Sequence, residues 1–311
     1  MSAGSSLGVP RRKFGRQAEE VSCLAVGGGH LSRSYIGEQL AVRIIQAAID
    51  EGITFLDNAW DYGNGESERR MGSALEGRRD KVFLMTKVCG RDRKTATSNL
   101  EDSLRRLRTD RIDLWQFHEV NFDNDPEWIF APGGAVEAAV EAKQAGKVRY
   151  IGFTGHKSPH ILLEMLRQDF EWDSCQMPVN VFDAQFRSFQ EQVLPVLVER
   201  GIACLGMKSL GGQGQFVKDA GLTPEQCRRW ALSQAIATLA VGVESVEQLG
   251  EELAIARSFV PMSEPEKAEL LARTRAAAAD GRHEWFKTTN YFDAKVHLDQ
   301  HGFPGFAEVR R

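Results

Sequence analysis

A chain of 311 residues with a formal charge of −4 and a pI near 6.0 carries no basic face for nucleic acid. No apolar run approaches the roughly 18 residues of a membrane span, and the opening MSAGSSLGVPRRKFGR lacks an apolar signal core, so a cytoplasmic protein without membrane partners is expected. Cys23, Cys89, Cys175, Cys204 and Cys227 form an odd, scattered set with no CxxC pair, which predicts buried free thiols rather than disulfides or a metal site.

In chain order, Arg11–Gly15 and Glu19–Cys23 read as a hairpin placed to plug the bottom of a barrel. Leu24–Gly27 reads as a strand, and further β-rich runs lie at Thr54–Asp57, Val82–Lys87, Ile112–His118, Val148–Thr154, Ser174–Asn180, Ile202–Lys208 and Thr238–Gly242. Most segments between them have a helical period, as with Leu40, Ile44, Ala47 and Ala48, or Leu100, Leu104 and Leu107. Gly52, Gly146 and Gly201 fall where a helix would end left-handed. Thr223 to Gln226 and Ser263 to Glu266 are capping boxes, the second opening a helix beyond the last strand. Alternation of this kind implies a parallel sheet with crossover helices. Eight units favour closure, an α/β (β/α)₈ TIM barrel with an N-terminal hairpin and a C-terminal helix plus tail. Such a barrel takes ~250 residues, so residues 1–311 are expected to be one domain, with a core of about 14–260 and an extension at 261–311.

Four polar residues decide the functional reading. Asp57 in FLDNAWDYG, Lys87 in VFLMTKV and His118 in IDLWQFHEV each close an apolar run, and Tyr62 lies in the loop past the first. In a barrel, polar groups at the carboxyl ends of several strands mark the active site. Singly, Asp57 and Lys87 are as well read as a buried ion pair, Tyr62 as a turn aromatic and His118 as a core histidine. A structural role for each does not explain why all four are in phase. An unperturbed tyrosine has a pKa near ~10; a nearby ammonium lowers it, a carboxylate holds that ammonium, and a histidine binds the oxygen being protonated. The set suits general-acid delivery of a proton to a carbonyl oxygen. The hydride for the carbon must come from a nicotinamide cofactor, since no side chain supplies one.

These residues resemble the Asp-Tyr-Lys-His tetrad of the aldo-keto reductase superfamily in order and spacing. GITFLDNAWDYGNGESERRMGSAL, SLRRLRTDRIDLWQFHEV, GKVRYIGFTGH and QMPVN resemble successive segments of that family, and the likeness runs from about Phe14 to Phe259. It implies a (β/α)₈ oxidoreductase reducing a small-molecule aldehyde or ketone, or oxidising the alcohol, with NADP or NAD. Tyr62 would be the general acid, Lys87 would lower its pKa, Asp57 would pair with Lys87, and His118 would orient the carbonyl. Gln176 matches the residue that binds the nicotinamide carboxamide. Thr154 and Gly155 stand at the usual Ser-Asn pair, and Met207 replaces a stacking tyrosine. GIACLGMKSLGGQG, with Ser209, Leu210 and Gly211, and GVESVEQLGEEL, with Gly242, Glu244, Ser245 and Gln248, resemble the loops that hold the rest of the cofactor. The family favours NADPH, while a carboxylate at Glu244 repels a 2′-phosphate and pulls towards NADH. The resemblance also covers non-catalytic cofactor-binding subunits, an alternative that the intact tetrad argues against. A barrel aldolase with Lys87 as Schiff base would need a neutral lysine, and Asp57 opposes that.

The loops carry further expectations. Gly27-Gly28-Gly29 lacks G-x-G-x-x-G spacing and reads as close-packed backbone. Glu66 and Glu68 read as the solvated start of a helix. Gly211, Gly212 and Gly214 read as a loop that closes over a pyrophosphate or as a surface turn. Trp60, Trp128, Phe130, Phe182 and Phe186 are expected at the mouth as an apolar wall, and Glu119 either brings negative charge to the substrate or points outward. Residues 281–311, with Trp285, Phe286, Tyr291, Phe292, Phe303 and Phe306, either pack aside as a tail or cover the mouth.

Overall fold

The computed structural model describes residues 8–212 and 214–302. A short antiparallel hairpin, β1 (Arg11–Lys13) and β2 (Glu20–Ser22), precedes eight parallel strands. These are β3 (Leu24–Gly27), β4 (Phe55–Asp57), β5 (Phe83–Val88), β6 (Ile112–Phe117), β7 (Val148–Thr154), β8 (Ser174–Pro178), β9 (Ala203–Met207) and β10 (Thr238–Val241). Each strand pairs with its sequence neighbour, and β10 pairs with both β9 and β3, closing the barrel. The expected (β/α)₈ barrel is the observed fold.

Two apolar layers arise from the period-two alternation of strand side chains. Ala25, Phe55, Met85, Leu114 and Leu205 point inward and share a cluster with Phe14. Their neighbours Leu24, Val26, Leu56, Leu84 and Trp115 point outward against the helices. The helix Glu38–Asp50 answers with Ala41, Ile44, Ile45, Ala48 and Ile49 on one buried face, the spacing of a single helical stripe. Gly52, Gly146 and Gly201 are all left-handed, at φ 99°, 73° and 66°. Both capping boxes form, ahead of helices Pro224–Leu232 and Glu264–Ala278. All five cysteines are buried free thiols.

The hairpin plugs the barrel's lower end. Phe14 is fully buried, with its ring 4.9 Å from that of Phe83 and 5.4 Å from that of Tyr150. Gly15 leads the chain over Gly201 so closely that a Cβ would lie 2.5 Å from the Gly201 carbonyl oxygen, and its φ is +57°.

The C-terminal segment crosses the opposite end. After helix Glu264–Ala278 it forms two short helices, Trp285–Thr288 and Lys295–His301. Lys287, fully buried, fastens it to the loop after β8 through Asp183 at 2.7 Å and the Phe186 carbonyl at 2.8 Å, and pairs with Glu284 of its own segment at 2.7 Å. Burial, with the charge of Asp183 beside it, raises the Glu284 carboxyl to about 7. Phe303 and Phe306 lie outside the described residues.

Truncating Phe14 to Ala opens a cavity among side chains that the surrounding strands prevent from collapsing. Phe14→Ala is expected to lower unfolding stability by about 3–5 kcal/mol, measured as a reduced urea midpoint with an unchanged slope.

Candidate active site

Alternation also places the charged groups. Asp57 lies two residues past Phe55, and Lys87 two past Met85, so both continue inward-facing rows at the carboxyl end of the barrel. His118 follows Gln116, whose amide donates across the interior to Ser174 at 2.9 Å. The chain leaving β4 stays bonded to β5 through Asn58 N to the Met85 carbonyl (2.9 Å) and Trp60 N to the Lys87 carbonyl (3.1 Å). It then turns through Gly63, Asn64 and Gly65, all at positive φ, and this turn brings Tyr62 back over Lys87.

Lys87, 1% exposed, donates to Asp57, to the Asn58 carbonyl at 2.8 Å and to the Tyr62 hydroxyl at 3.3 Å. The second Asp57 oxygen accepts from Gln176 Nε2 at 2.7 Å. The ring of Tyr62 meets that of His118 edge-on at 5.5 Å. The four residues singled out from sequence therefore converge, and Gln176 joins them.

The electrostatics depart from expectation. The expected effect of Lys87 is to lower the pKa of Tyr62. Instead burial, then the charges of Asp57, Asp61 and Glu119, push the Tyr62 phenol well above its ordinary value. Burial is the main cause, and three carboxylates stand around the phenol against the one ammonium of Lys87. Asp61 lies 2.9 Å from His118 Nδ1. Burial alone would raise its carboxyl, but the charge and contact of His118, with Lys87 behind, hold it down at about 2. Cys89 Sγ is 3.8 Å from the same Nδ1. Asp61, Cys89 and His118 bring their ligand atoms within 4.8 Å of one another, yet both partners approach one ring nitrogen. A nucleophile relay needs them on opposite nitrogens.

Beside the tetrad lies a cleft of about 710 Å³, lined by Asp57 and Tyr62, by Met207 through Gly212, and by Gly242, Glu244 and Gln248. Thr154 and Gln176 pair in register on β7 and β8, both buried. Gln176 Oε1 is buried without a partner, an acceptor suited to an incoming amide N–H. Gly155 is packed so that a Cβ would lie 2.6 Å from both Leu162 and the Val120 carbonyl, which explains why no amide side chain stands there. At Gly242 a Cβ would meet the His30 ring at 2.5 Å, so only bare backbone borders the cleft. Ser209 is buried and accepts from Arg228, itself paired with Glu252 at 2.8 Å through Nε. An open groove with bare glycine backbone, an orphaned acceptor and buried cations fits a dinucleotide.

Glu244 neither faces the groove bare nor points to solvent. Arg33 reaches it at 2.5 Å, His30 at 2.8 Å and the Tyr35 hydroxyl at 3.0 Å. Burial opposes ionisation, but the His30 and Tyr35 contacts and the Arg33 charge hold its carboxyl below the usual range. Ser245 is spent as a helix N-cap, accepting from Gln248 N at 3.2 Å, and is not part of the cleft wall. Gln248 accepts from Glu244 N.

Several expectations about the mouth are corrected. Trp60 turns away, its indole N–H donating to Asp102 at 3.2 Å under the Arg106 guanidinium. Phe130 packs outside the barrel on Phe170 and Trp172. Glu68 is fully buried, not solvated, because its helix face meets β5; Thr86 donates to it at 2.6 Å and Arg106 pairs with it at 3.2 Å. Gly212 carries no plain surface turn, since a Cβ there would lie 2.4 Å from Trp285 Nε1. The aromatic wall comes from the tail. Phe292 lies 4.6 Å and Phe286 5.9 Å from the ring of His156, which lies just past β7. His297 contacts Glu119 at 2.9 Å, turning that carboxylate inward beneath the tail.

Sequence reading missed His30, Arg33, Arg228 and Lys208. His30 follows a glycine triplet that reads as close-packed backbone, and Arg228 lies in the helix opened by the Thr223 cap, so neither stands in a segment that the sequence ties to the cofactor.

Comparison with known proteins agrees with this geometry. The family model for the aldo/keto reductase family matches residues 23–226. Aldo-keto reductase YhdN of Bacillus subtilis (strain 168) is 32% identical over 185 residues, 56% of this chain and 53% of that protein. An uncharacterized oxidoreductase of the same organism, YqkF, is 28% identical over 205 residues, 62% of each chain. The match to these two relatives thus spans less than two thirds of the length of either. The holo form of aldo-keto reductase AKR11C1 from Bacillus halodurans superposes with a TM-score of 0.73 at 25% identity, over 89% of this chain and 99% of that one.

The buried pair offers a test of its structural share. Removing one partner of such a pair strands a charge and costs about 3–5 kcal/mol, whereas replacing both by apolar groups is near neutral. Asp57→Leu alone is expected to lower the urea midpoint sharply, and Asp57→Leu with Lys87→Met to recover most of the loss.

Proposed function

Because this chain belongs to the aldo/keto reductase family, we propose that it is a nicotinamide-dependent oxidoreductase that reduces a small aldehyde or ketone to an alcohol, with Tyr62 as general acid. The observation that carries this reading is the contact of Tyr62 with a lysine held charged by Asp57, at the edge of a cleft shaped for a dinucleotide. The cofactor, when bound, supplies the hydride for the carbonyl carbon. Gln176 would hold the nicotinamide amide and Met207 its ring face, while Ser209, Leu210, Gly211 and Gly242 border the phosphates and ribose.

The side chains then have one task each. Tyr62 presents a phenol kept protonated by burial and by surrounding carboxylates, so it enters the reaction as a donor. His118, fixed against Asp61, orients the carbonyl oxygen towards that phenol. The Tyr62 proton moves to the oxygen, and Lys87 at 3.3 Å stabilises the phenolate left behind. The second Asp57 oxygen, bonded to Gln176, couples the proton donor to the nicotinamide amide site. Lys87 is no Schiff-base nucleophile here: three acceptors surround its ammonium, and a nucleophilic amine must be neutral. Five buried thiols suit the reducing cytosol.

Tyr62→Phe is expected to bind NADPH or NADH within a few-fold of the unaltered protein, by nicotinamide fluorescence, and to lose about 10² to 10⁴ in carbonyl reduction. Reduction at a near-normal rate would remove Tyr62 from its role.

Cofactor choice turns on Glu244. Its carboxylate occupies the Arg33 guanidinium and the His30 ring, both of which line the cleft. Released, Arg33 is placed to bind a 2′-phosphate on the adenosine ribose. Glu244→Gln should therefore raise affinity for NADPH relative to NADH by about tenfold, the worth of one charge-assisted bond. Parallel fluorescence titrations with the two cofactors measure the ratio; an unmoved ratio would assign the phosphate to other groups.

A further inference from the structure

Six cations bordering the site each have a carboxylate: Lys87 with Asp57, Arg91 with Asp125, Lys157 with Asp293, Arg228 with Glu252, Lys287 with Asp183, and His297 with Glu119. Lys208 does not. Among the described residues its ammonium makes no hydrogen bond and no ion pair; it lies only against rings, 4.8 Å from the centre of Phe292 and 5.5 Å from that of Phe286. It lines the cleft with Tyr62 and Asp57. Its backbone is left-handed, at φ 56°, a conformation costly for a long side chain and characteristic of functional sites.

The position of the ammonium tells which part of the cleft it serves. Phe292, which it touches, also meets His156 at 4.6 Å and His297 at 6.0 Å. His297 caps Glu119, the residue after His118. Lys208 thus lies on the tail side of the cleft, above the tetrad, away from the Glu244 end. Burial lowers its basicity to about 8, with Glu119 and Asp57 opposing that shift and Lys87 adding to it. A partly buried ammonium set against aromatic rings, with no carboxylate beside it, gains most from one anion that brings its own charge into the site.

Building on the carbonyl-reductase reading, we propose that the substrate carries a carboxylate received by Lys208, so that the protein converts an aldehyde or keto acid into the corresponding hydroxy acid. Hydride adds to the carbonyl carbon, the Tyr62 proton adds to its oxygen, and the carboxylate is unchanged. Phe292, the partly exposed ring beside Lys208, would pack on the carbon chain between the two ends, with the buried Phe286 behind the ammonium. Glu119 would repel an acid, and its pairing with His297 offsets that.

The test compares succinic semialdehyde with butanal, and para-carboxybenzaldehyde with para-tolualdehyde. The unaltered protein should favour each acid by about tenfold or more in kcat/KM. Lys208→Met should abolish that ratio through KM, and Lys208→Arg should keep most of it. A second arm needs no turnover: calorimetry of para-(hydroxymethyl)benzoate against para-methylbenzyl alcohol on the complex with oxidised cofactor, where Lys208→Met should weaken only the acid. Neutral aldehydes reduced as well as their acids would overturn the carboxylate proposal and leave the reductase reading standing. No aldehyde reduced, with the acid still bound through Lys208, would overturn the reductase reading instead. A Lys208→Met variant whose acid preference is intact but whose cofactor affinity falls tenfold would assign the ammonium to the cofactor diphosphate and overturn the proposal.

Discussion

The site depends on one buried ion pair. Asp57 and Lys87 hold opposite charges at the carboxyl ends of adjacent strands, nearly free of solvent. Desolvating two charges costs several kcal/mol per ion before their attraction is counted. The cost is offset only because every remaining valence is used. Gln176 takes the second Asp57 oxygen, and the Asn58 carbonyl and Tyr62 hydroxyl take the other lysine protons. The pair therefore fixes Tyr62 and Gln176 as a by-product of its own satisfaction. Those are the two groups that a proton donor and an amide receptor require. Loss of either charge would disorder both.

A second consequence concerns sign. Burial first, then the charges of Asp57, Asp61 and Glu119, raise the phenol, and Tyr62 rests protonated rather than softened. Positive charge entering the cleft would reverse that balance. A family pattern read as lysine beside tyrosine leaves out the two extra carboxylates of this chain, at 61 and 119. In this chain burial and the surrounding carboxylates outweigh one lysine at the phenol.

Periodicity is the part of this structure that the sequence makes legible. Strand alternation carries Phe55 to Asp57 and Met85 to Lys87 on one face, so the convergence of the tetrad is readable from apolar runs alone. Both capping boxes and the glycine helix ends are likewise local signals. Contacts between residues far apart in the chain are not readable. Nothing near Glu68 announces Thr86 and Arg106, and nothing near Trp60 announces Asp102, so sequence reasoning puts both in the wrong environment. Glu244 reads as a free carboxylate because its partners Arg33 and His30 lie more than two hundred residues earlier. Lys208 escapes notice because its meaning is a missing partner, and an absent contact has no signature in sequence.

The tail completes the division of labour. The family match ends at residue 226, and the tetrad lies wholly within it. Phe286, Phe292 and His297 lie beyond it, yet they form the wall facing His156, Lys208 and Glu119. Barrel strands hold reacting groups rigidly, while loops and extensions vary at small cost to the core. Lys208 stands at the meeting of the two, on the end of β9 with its charge under tail rings. The Lys287 clip, buried between Asp183 and Glu284, holds that roof in register with the barrel. On the proposed reading, the strands would set the chemistry and a segment fastened to them through Lys287 and the Lys157–Asp293 pair would set selectivity. A change of substrate in this scaffold would require rebuilding residues 285–297 around position 208 and would leave Asp57, Tyr62, Lys87 and His118 untouched.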